Sequence, residues 1–187
     1  MPRLPAVVVR PEGLVYAPQL LTEGEEQALV ALFEEMEFAE VRMHGQAAKR
    51  TVLHFGYRYD YDSWRLTPAE PLPPDLNWLR DRSGAFAGVE PERFVETLVS
   101  RYPAGAGIGW HRDAPMFGPV VVGVSVLSGC VMRFQRRTDT VRETHTLELD
   151  PRSVYALTGA ARSQWQHSIQ STPSLRYSVT FRTLARR

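Results

Sequence analysis

The sequence predicts a mainly β protein with flanking helices, of the sandwich or jelly-roll type. The first observation behind this is a series of short β-like runs at 94–102, 108–113, 120–128, 131–135, 144–149, 153–157, 166–169 and 176–184. The second is that Gly, Pro, Asp and Ser separate these runs; many short strands with regular turn signals indicate a sandwich or jelly roll. The third is bulk: 187 residues, 43% hydrophobic and 23% charged, suit one domain with a single sizeable core.

Residues 1–21 read as short extended pieces punctuated by Pro2, Pro5, Pro11 and Pro18. Thr22 then starts a helix, because Thr22 and Glu25 have capping-box spacing. Leu29, Leu32, Phe33 and Met36 form an apolar stripe at helical spacing, with Glu34, Glu35 and Glu37 off it, so the helix braces the outside of a sheet. The segment from Lys49 to Tyr61 mixes basic and aromatic residues with partial alternation and reads as a strand or hairpin. It has two readings of equal weight. One is a substrate lid, in which flat aromatics stack on an extruded base and Lys49, Arg50 and Arg58 meet phosphates. The other is an amphipathic hairpin packed on the jelly roll. A loop with Pro68, Pro71, Pro73 and Pro74 follows, then a short helix from about Leu76 to Arg82. The chain shows no internal repeat, low-complexity tract or linker. It is expected to be a single domain over 1–187, with the N-terminal helix and lid region to about 93 and the jelly-roll core over about 94–185.

A net charge of +1 offers no global electrostatic argument for nucleic acid or membrane. Lys49 is the only lysine, and a codon bias toward Arg accounts for that. Cys130 is alone among apolar neighbours, which predicts a buried small hydrophobe and excludes an intrachain disulfide framework. No Cys pair offers a zinc site. The apolar run at the N-terminus is too short for a signal peptide, and no segment reaches membrane-spanning length. A cytoplasmic location is expected, where thiols stay reduced.

The chemistry centres on His111-Arg112-Asp113. In an extended strand alternate side chains share a side, so His111 and Asp113 can aim at one point while Arg112 faces away. His167, brought in by the fold, completes two histidines and one carboxylate, the facial set of non-heme Fe(II) oxygenases. Arg176 and Arg182, six residues apart, also share a strand face. That face carries Arg176, Ser178, Thr180 and Arg182, whereas Tyr177, Val179 and Phe181 on the other are apolar. A polar interior of this kind needs an anion, and the dicarboxylate 2-oxoglutarate supplies one. His44, His54 and His145 lack such context and are excluded as ligands. Trp110 and Trp165, beside two of the ligands, are expected to pack around the site and limit solvent access.

With these residues in view, the chain resembles the AlkB-type Fe(II)/2-oxoglutarate dioxygenases from roughly Phe55 to Leu184. The resemblance rests on the stretch from Arg101-Tyr102-Pro103 to Trp110-His111-Arg112-Asp113, on Trp165-Gln166-His167, and on Arg176-Tyr177-Ser178-Val179-Thr180-Phe181-Arg182. The stretches Phe55–Tyr61, Val131–Phe134 and Leu149–Ser153 look closest to the branch with tRNA-modifying homologues and their bacterial relatives. The resemblance implies a double-stranded β-helix with Fe(II) at its mouth, held by His111, Asp113 and His167. It further implies 2-oxoglutarate and O2 as cosubstrates. Arg176 pairs with the far carboxylate of 2-oxoglutarate, Arg182 lies near the iron-proximal one, and Tyr102 and Ser178 contact the cosubstrate. The implied activity is oxidative demethylation or hydroxylation of alkylated or modified nucleobases in DNA or RNA, with a single-stranded or flipped base as partner.

There are departures. Ser100 and Ser178 stand where family members often have Asn, and Pro115 stands where repair enzymes often carry an acidic residue. Two other readings are therefore carried: a protein or small-molecule hydroxylase using the same iron chemistry, and a non-catalytic module that keeps the fold.

Overall fold

A computed structural model describes residues 6–43, 46–60 and 65–185. In chain order the elements are β1 (Ala6–Val8), β2 (Leu14–Ala17), α1 (Glu23–Glu34), β3 (Ala39–Met43), β4 (Gln46–Phe55), β5 (Tyr57–Asp60), β6 (Arg65–Pro68) and α2 (Asn77–Ala87). There follow β7 (Phe94–Tyr102), β8 (Ile108–His111), β9 (Phe117–Val126), β10 (Cys130–Arg137), β11 (Arg142–Leu149), β12 (Val154–Leu157), α3 (Gly159–Ser163), β13 (Gln166–Ile169) and β14 (Arg176–Leu184).

The large sheet has the order β2-β12-β9-β14-β7-β4-β3 and the small one β1-β11-β10-β13-β8. Of the eight strands from β7 to β14, four lie in each sheet, and the chain crosses between the sheets at every connection except β10 to β11, giving the double-stranded β-helix. Alternation along each strand then builds two cores. On the outer face of the large sheet, Val122, Val124, Val126, Val179 and Phe181 pack against Leu29 and Phe33 of α1 and Leu79 of α2. Between the sheets, Val121 and Tyr155 meet Met132, Phe134 and Ile169 of the small sheet. Gly123 permits that stacking, since a Cβ there would overlap the Tyr155 ring.

The capping box forms: Glu25 N–H donates to Thr22 Oγ1 at 3.2 Å, and Thr22 N–H to the Glu25 carboxylate at 2.9 Å. α1 braces the large sheet, as its apolar stripe requires. The second helix runs on to Ala87, past the expected stop near Arg82, and ends at Gly88 in the left-handed region. The proline-punctuated start supplies β1, parallel to β11, and β2, antiparallel to β12, so it widens both sheets.

The segment from Lys49 is divided. β4 pairs with β7 inside the large sheet, and Gly56, with φ of 80°, turns the chain into β5, which forms a two-stranded sheet with β6 among the described residues. The expected strand forms, as β4 and then β5, but the two halves do not pair with each other as one hairpin: the first joins the large sheet and the second pairs with β6. Tyr61, at its end, and His44 lie outside the described residues. β8 also stops at His111, short of the expected 113. Asp113 therefore sits in the turn leading to Pro115, and strand alternation does not aim its carboxylate. Among the described residues no helix is long and apolar enough to cross a membrane.

Candidate active site

A cavity of about 110 Å3 opens between the two sheets. From the small sheet, His111 and His167 are direct register partners on β8 and β13, their rings 4.3 Å apart between centroids and inclined by 62°. His111 Nδ1 donates to the Gly109 carbonyl at 2.8 Å; a carbonyl can only accept, so the Nε2 lone pair remains for a ligand. His167 Nε2 lies 3.7 Å from Asp113 Oδ2. Two imidazoles and a carboxylate thus meet at one end of the cavity, a donor set that suits Fe(II). As the side chains are posed, no three His, Cys, Asp or Glu groups among the described residues form a closed metal-holding set. Asp113 Oδ1 is already held by Arg182 Nε and Nη2 at 2.7 and 2.6 Å.

Asp113 is placed by two arginines rather than by strand geometry. Arg182 takes its side chain. Arg162 of α3, itself buried, donates to the carbonyls of Ala114 and Phe117 at 3.0 Å, of Gly118 at 3.2 Å and of Asp113 at 3.4 Å. Burial works to raise the Asp113 pKa, but Arg182 and then His167 and His111 outweigh it and hold the carboxyl well below the usual range. Burial, then the neighbouring His111, hold His167 down at about 3, and burial lowers His111 as well. Both rings are neutral at neutral pH, the form that binds a metal.

The large sheet supplies the other end. β14 turns Arg176, Ser178, Thr180 and Arg182 into the cavity, and Tyr177, Val179 and Phe181 into the outer core, as the sequence pattern predicts. Arg176 is 1% exposed; Nη2 donates to Ser125 Oγ at 2.9 Å, while Nε and Nη1 have no hydrogen-bond partner among the described residues. Its guanidinium lies 5.2 Å from the centroid of Tyr102, its register partner. Ser178 is paired with Ser100 on one side and Ser125 on the other. Tyr102 and Ser178 both line the cavity, together with His111, Asp113, His167, Arg176 and Arg182.

Some contributors escaped sequence reasoning. Glu96, 1% exposed, accepts from Arg182 Nη1 at 2.8 Å and from His54 Nδ1 at 3.0 Å. Its signal was available: a carboxylate in the apolar run Phe94-Val95-Glu96-Thr97-Leu98. Arg162 carries no such signal. From β4, Arg50 and His54 turn into the cavity, whereas Lys49 faces out. Tyr59 of β5 reaches the cavity and packs on Phe117, which docks the β5–β6 pair against the turn from Ala114 to Phe117. Arg58 and Tyr57 are exposed. The two tryptophans depart from expectation. Trp165 is buried in the inter-sheet core, and Trp110 is 36% exposed with Arg133 over its ring; neither lines the cavity. Being next to His111, Trp110 falls on the opposite face of the strand.

A family model, the 2OG-Fe(II) oxygenase superfamily, matches residues 13–182, and the chain belongs to that superfamily. Within it the chain is similar to AlkB homologues. It is 27% identical over 180 residues to the alkylated DNA repair protein ALKBH8 homolog of Arabidopsis thaliana, a match over 84% of this chain and 50% of that protein. It is 28% identical over 170 residues to the tRNA (carboxymethyluridine(34)-5-O)-methyltransferase ALKBH8 of Macaca fascicularis, over 85% of this chain and 24% of that one. The chain thus spans half or less of the length of these relatives. The solved structure of OsALKBH1 superposes with a TM-score of 0.70 at 16% identity, over 94% of this chain and 98% of that one, and shares the fold.

Proposed function

We propose that His111, Asp113 and His167 hold Fe(II), that Arg176 receives the far carboxylate of 2-oxoglutarate, and that the substrate is an alkylated or modified nucleobase in DNA or RNA. The observation that carries this is the pairing of two opposed, neutral imidazoles beside a carboxylate with a buried arginine whose Nε and Nη1 find no hydrogen-bond partner among the described residues, all on one cavity. Fe(II), 2-oxoglutarate and O2 supply the oxidising power for C–H hydroxylation. The protein's own residues orient and exclude. Arg182 fixes the Asp113 carboxylate, Tyr102 and Ser178 flank the cosubstrate end, and Tyr59 reaches the cavity from β5. The names of the relatives, one in DNA repair and one in tRNA modification, support a nucleic-acid substrate. The whole chain acts as one domain, and its lone buried Cys130 and its need for Fe(II) suit a reducing, cytoplasmic setting.

A second reading, a protein or small-molecule hydroxylase, is favoured by Pro115 and by the net charge of +1. The test is succinate release from 2-oxoglutarate with Fe(II), ascorbate and O2, for wild type and His111→Ala, against methylated single-stranded DNA, methylated RNA and no polymer. Turnover stimulated by one polymer and lost in the variant supports the nucleobase reading. His111-dependent turnover indifferent to both polymers selects the second reading. A protein that binds Fe(II) without any turnover overturns both.

A further inference from the structure

Three guanidiniums, from Arg50, Arg176 and Arg182, line the cavity, against the two carboxylates of Glu96 and Asp113. Both carboxylates are bonded to Arg182. Arg50 and Arg176 are left facing hydroxyls. Arg50 Nη1 donates to Ser100 Oγ at 3.2 Å, and Arg176 Nη2 to Ser125 Oγ. The two guanidiniums also share one aromatic ring, at 5.9 and 5.2 Å from the Tyr102 centroid respectively. Hydroxyls and an aromatic face satisfy geometry but carry no negative charge. Two cations around one ring in a desolvated cavity repel each other unless an anion lies between or beside them. Nε and Nη1 of Arg176, without a hydrogen-bond partner among the described residues, mark where such an anion is received.

We propose that Arg50 is a second cosubstrate-binding arginine, acting with Arg176 to select 2-oxo acids that carry a second carboxylate. The inference rests on the reading of Arg176 given above and adds a residue from outside the jelly roll. β4 pairs with β7 so that Val52 lies opposite Ser100, and alternation turns Arg50 inward and Lys49 outward. Arg50 is therefore no surface contact for a phosphate backbone. It sits at the serine floor, where Ser178 meets Ser100 and Ser125 in register. A serine is too short to bring a strong donor to a carboxylate from there, and the Arg50 fork supplies one, with charge.

Calorimetric titration of the Mn(II)-loaded protein tests this without turnover. The ligands are 2-oxoglutarate and 2-oxopentanoate, which has a methyl group where the second carboxylate stands. The proteins are wild type, Arg50→Gln, Arg50→Lys and Arg176→Gln, each checked by thermal unfolding without ligand. In Arg50→Gln, 2-oxoglutarate affinity is expected to fall about tenfold or more, as for loss of one charge-assisted hydrogen bond, while 2-oxopentanoate stays within about twofold. Arg50→Lys is expected to recover part of the loss, and Arg176→Gln to show the same selectivity more strongly. Unchanged 2-oxoglutarate affinity in Arg50→Gln overturns the proposal, as does an equal loss for both ligands, which would mean that Arg50 acts on the fold or the metal end. Unchanged 2-oxo acid binding with weakened binding of a single-stranded oligonucleotide overturns it too, by moving Arg50 to the substrate side. If wild type binds neither 2-oxo acid, the reading of the cavity itself fails, separately from Arg50.

Discussion

Arg182 and Glu96 face each other across the β14–β7 pair, and Arg182 Nη1 donates to the Glu96 carboxylate at 2.8 Å. The same guanidinium grips Asp113, and the other Glu96 oxygen accepts from His54. A continuous run, His54–Glu96–Arg182–Asp113, thus ends on a proposed metal ligand. Glu96 shares the Arg182 charge. Without it that charge leans on Asp113 and competes harder with a metal for the carboxylate.

Glu96→Gln is therefore expected to lower stability by about 2–4 kcal/mol, as for a broken buried ion pair softened by the remaining amide. It should also weaken Mn(II) binding. Denaturant unfolding and metal titration read the two effects. A stable variant with wild-type metal affinity would remove Glu96 from the site.

Arg162 closes the turn that carries Asp113 by donating to four backbone carbonyls. Arg162→Ala removes a donor from each of these carbonyls, of which Ala114 keeps Phe117 N–H at 3.0 Å, at about 1–3 kcal/mol for each one left unsatisfied that water cannot reach. The expected outcome is a loss of about 3 kcal/mol with weaker metal binding, since Asp113 is then held only through its side chain. Arg162→Lys should not rescue either property, because one ammonium cannot reproduce the planar fork. Thermal melts with and without Mn(II) check this.

Much of this fold was legible because it is written in short-range pattern. β7, β13 and β14 begin and end where turn residues place them, and the alternation of Tyr177, Val179 and Phe181 against Ser178, Thr180 and Arg182 separates core from cavity. The site was legible where chemistry-bearing types recur at strand spacing, as with Arg176 and Arg182, and where their residue type alone suits a metal, as with His111 and His167. It was illegible where long-range pairing decides. Strand pairing turns Arg50 inward and sets Glu96 against Arg182, and the docking of α3 brings Arg162 onto the turn. No local spacing encodes these. Trp110 misled because nearness in sequence to His111 means, in a strand, the opposite face.

The tryptophans consequently separate in experiment. Trp165 is 1% exposed in the inter-sheet core, so Trp165→Ala is expected to cost about 3–5 kcal/mol. Trp110→Ala should leave stability within about 1 kcal/mol and metal affinity unchanged, as its ring faces solvent and Arg133. Parallel urea unfolding and Mn(II) titration of the two variants distinguish them. Lost metal binding in Trp110→Ala would contradict the outward placement.

The start of α1 makes a pH-dependent contribution. The Glu25 carboxylate accepts from Arg82 Nη1 and Nη2, both at 2.8 Å, and from Thr22 N–H. Chiefly through Arg82, its pKa is held at about 2, against 4.5 ordinarily. A lowered folded-state pKa means that the contribution is full above pH 4.5 and is lost as pH falls toward 2. Because the pair is largely solvated, Glu25→Gln is expected to cost no more than about 1 kcal/mol at pH 7. Urea unfolding at pH 7 and again near 3 should show the gap between wild type and variant closing. A gap constant with pH would mean that charge plays no part.

Gly123 and Tyr155 offer the sharpest link between packing and binding. They are register partners on β9 and β12, and the Tyr155 ring lies against the bare Cα. Tyr155 also lines the cavity, where burial and then the nearby Asp113 charge keep its phenol protonated by raising its pKa. A methyl group at position 123 leaves the ring two choices. It can strain against the new Cβ, at about 1–3 kcal/mol, or tilt into a cavity of only about 110 Å3. Gly123→Ala is thus expected to destabilise the fold and to weaken 2-oxoglutarate binding together. Adding Tyr155→Phe should not rescue either loss, because the ring carbons overlap as well as the hydroxyl. Tyr155→Leu removes the planar obstacle and should recover stability in the Gly123→Ala background while leaving a larger cavity. A double-mutant cycle in unfolding free energy measures that coupling. Additive losses would show that the ring does not rest on Gly123.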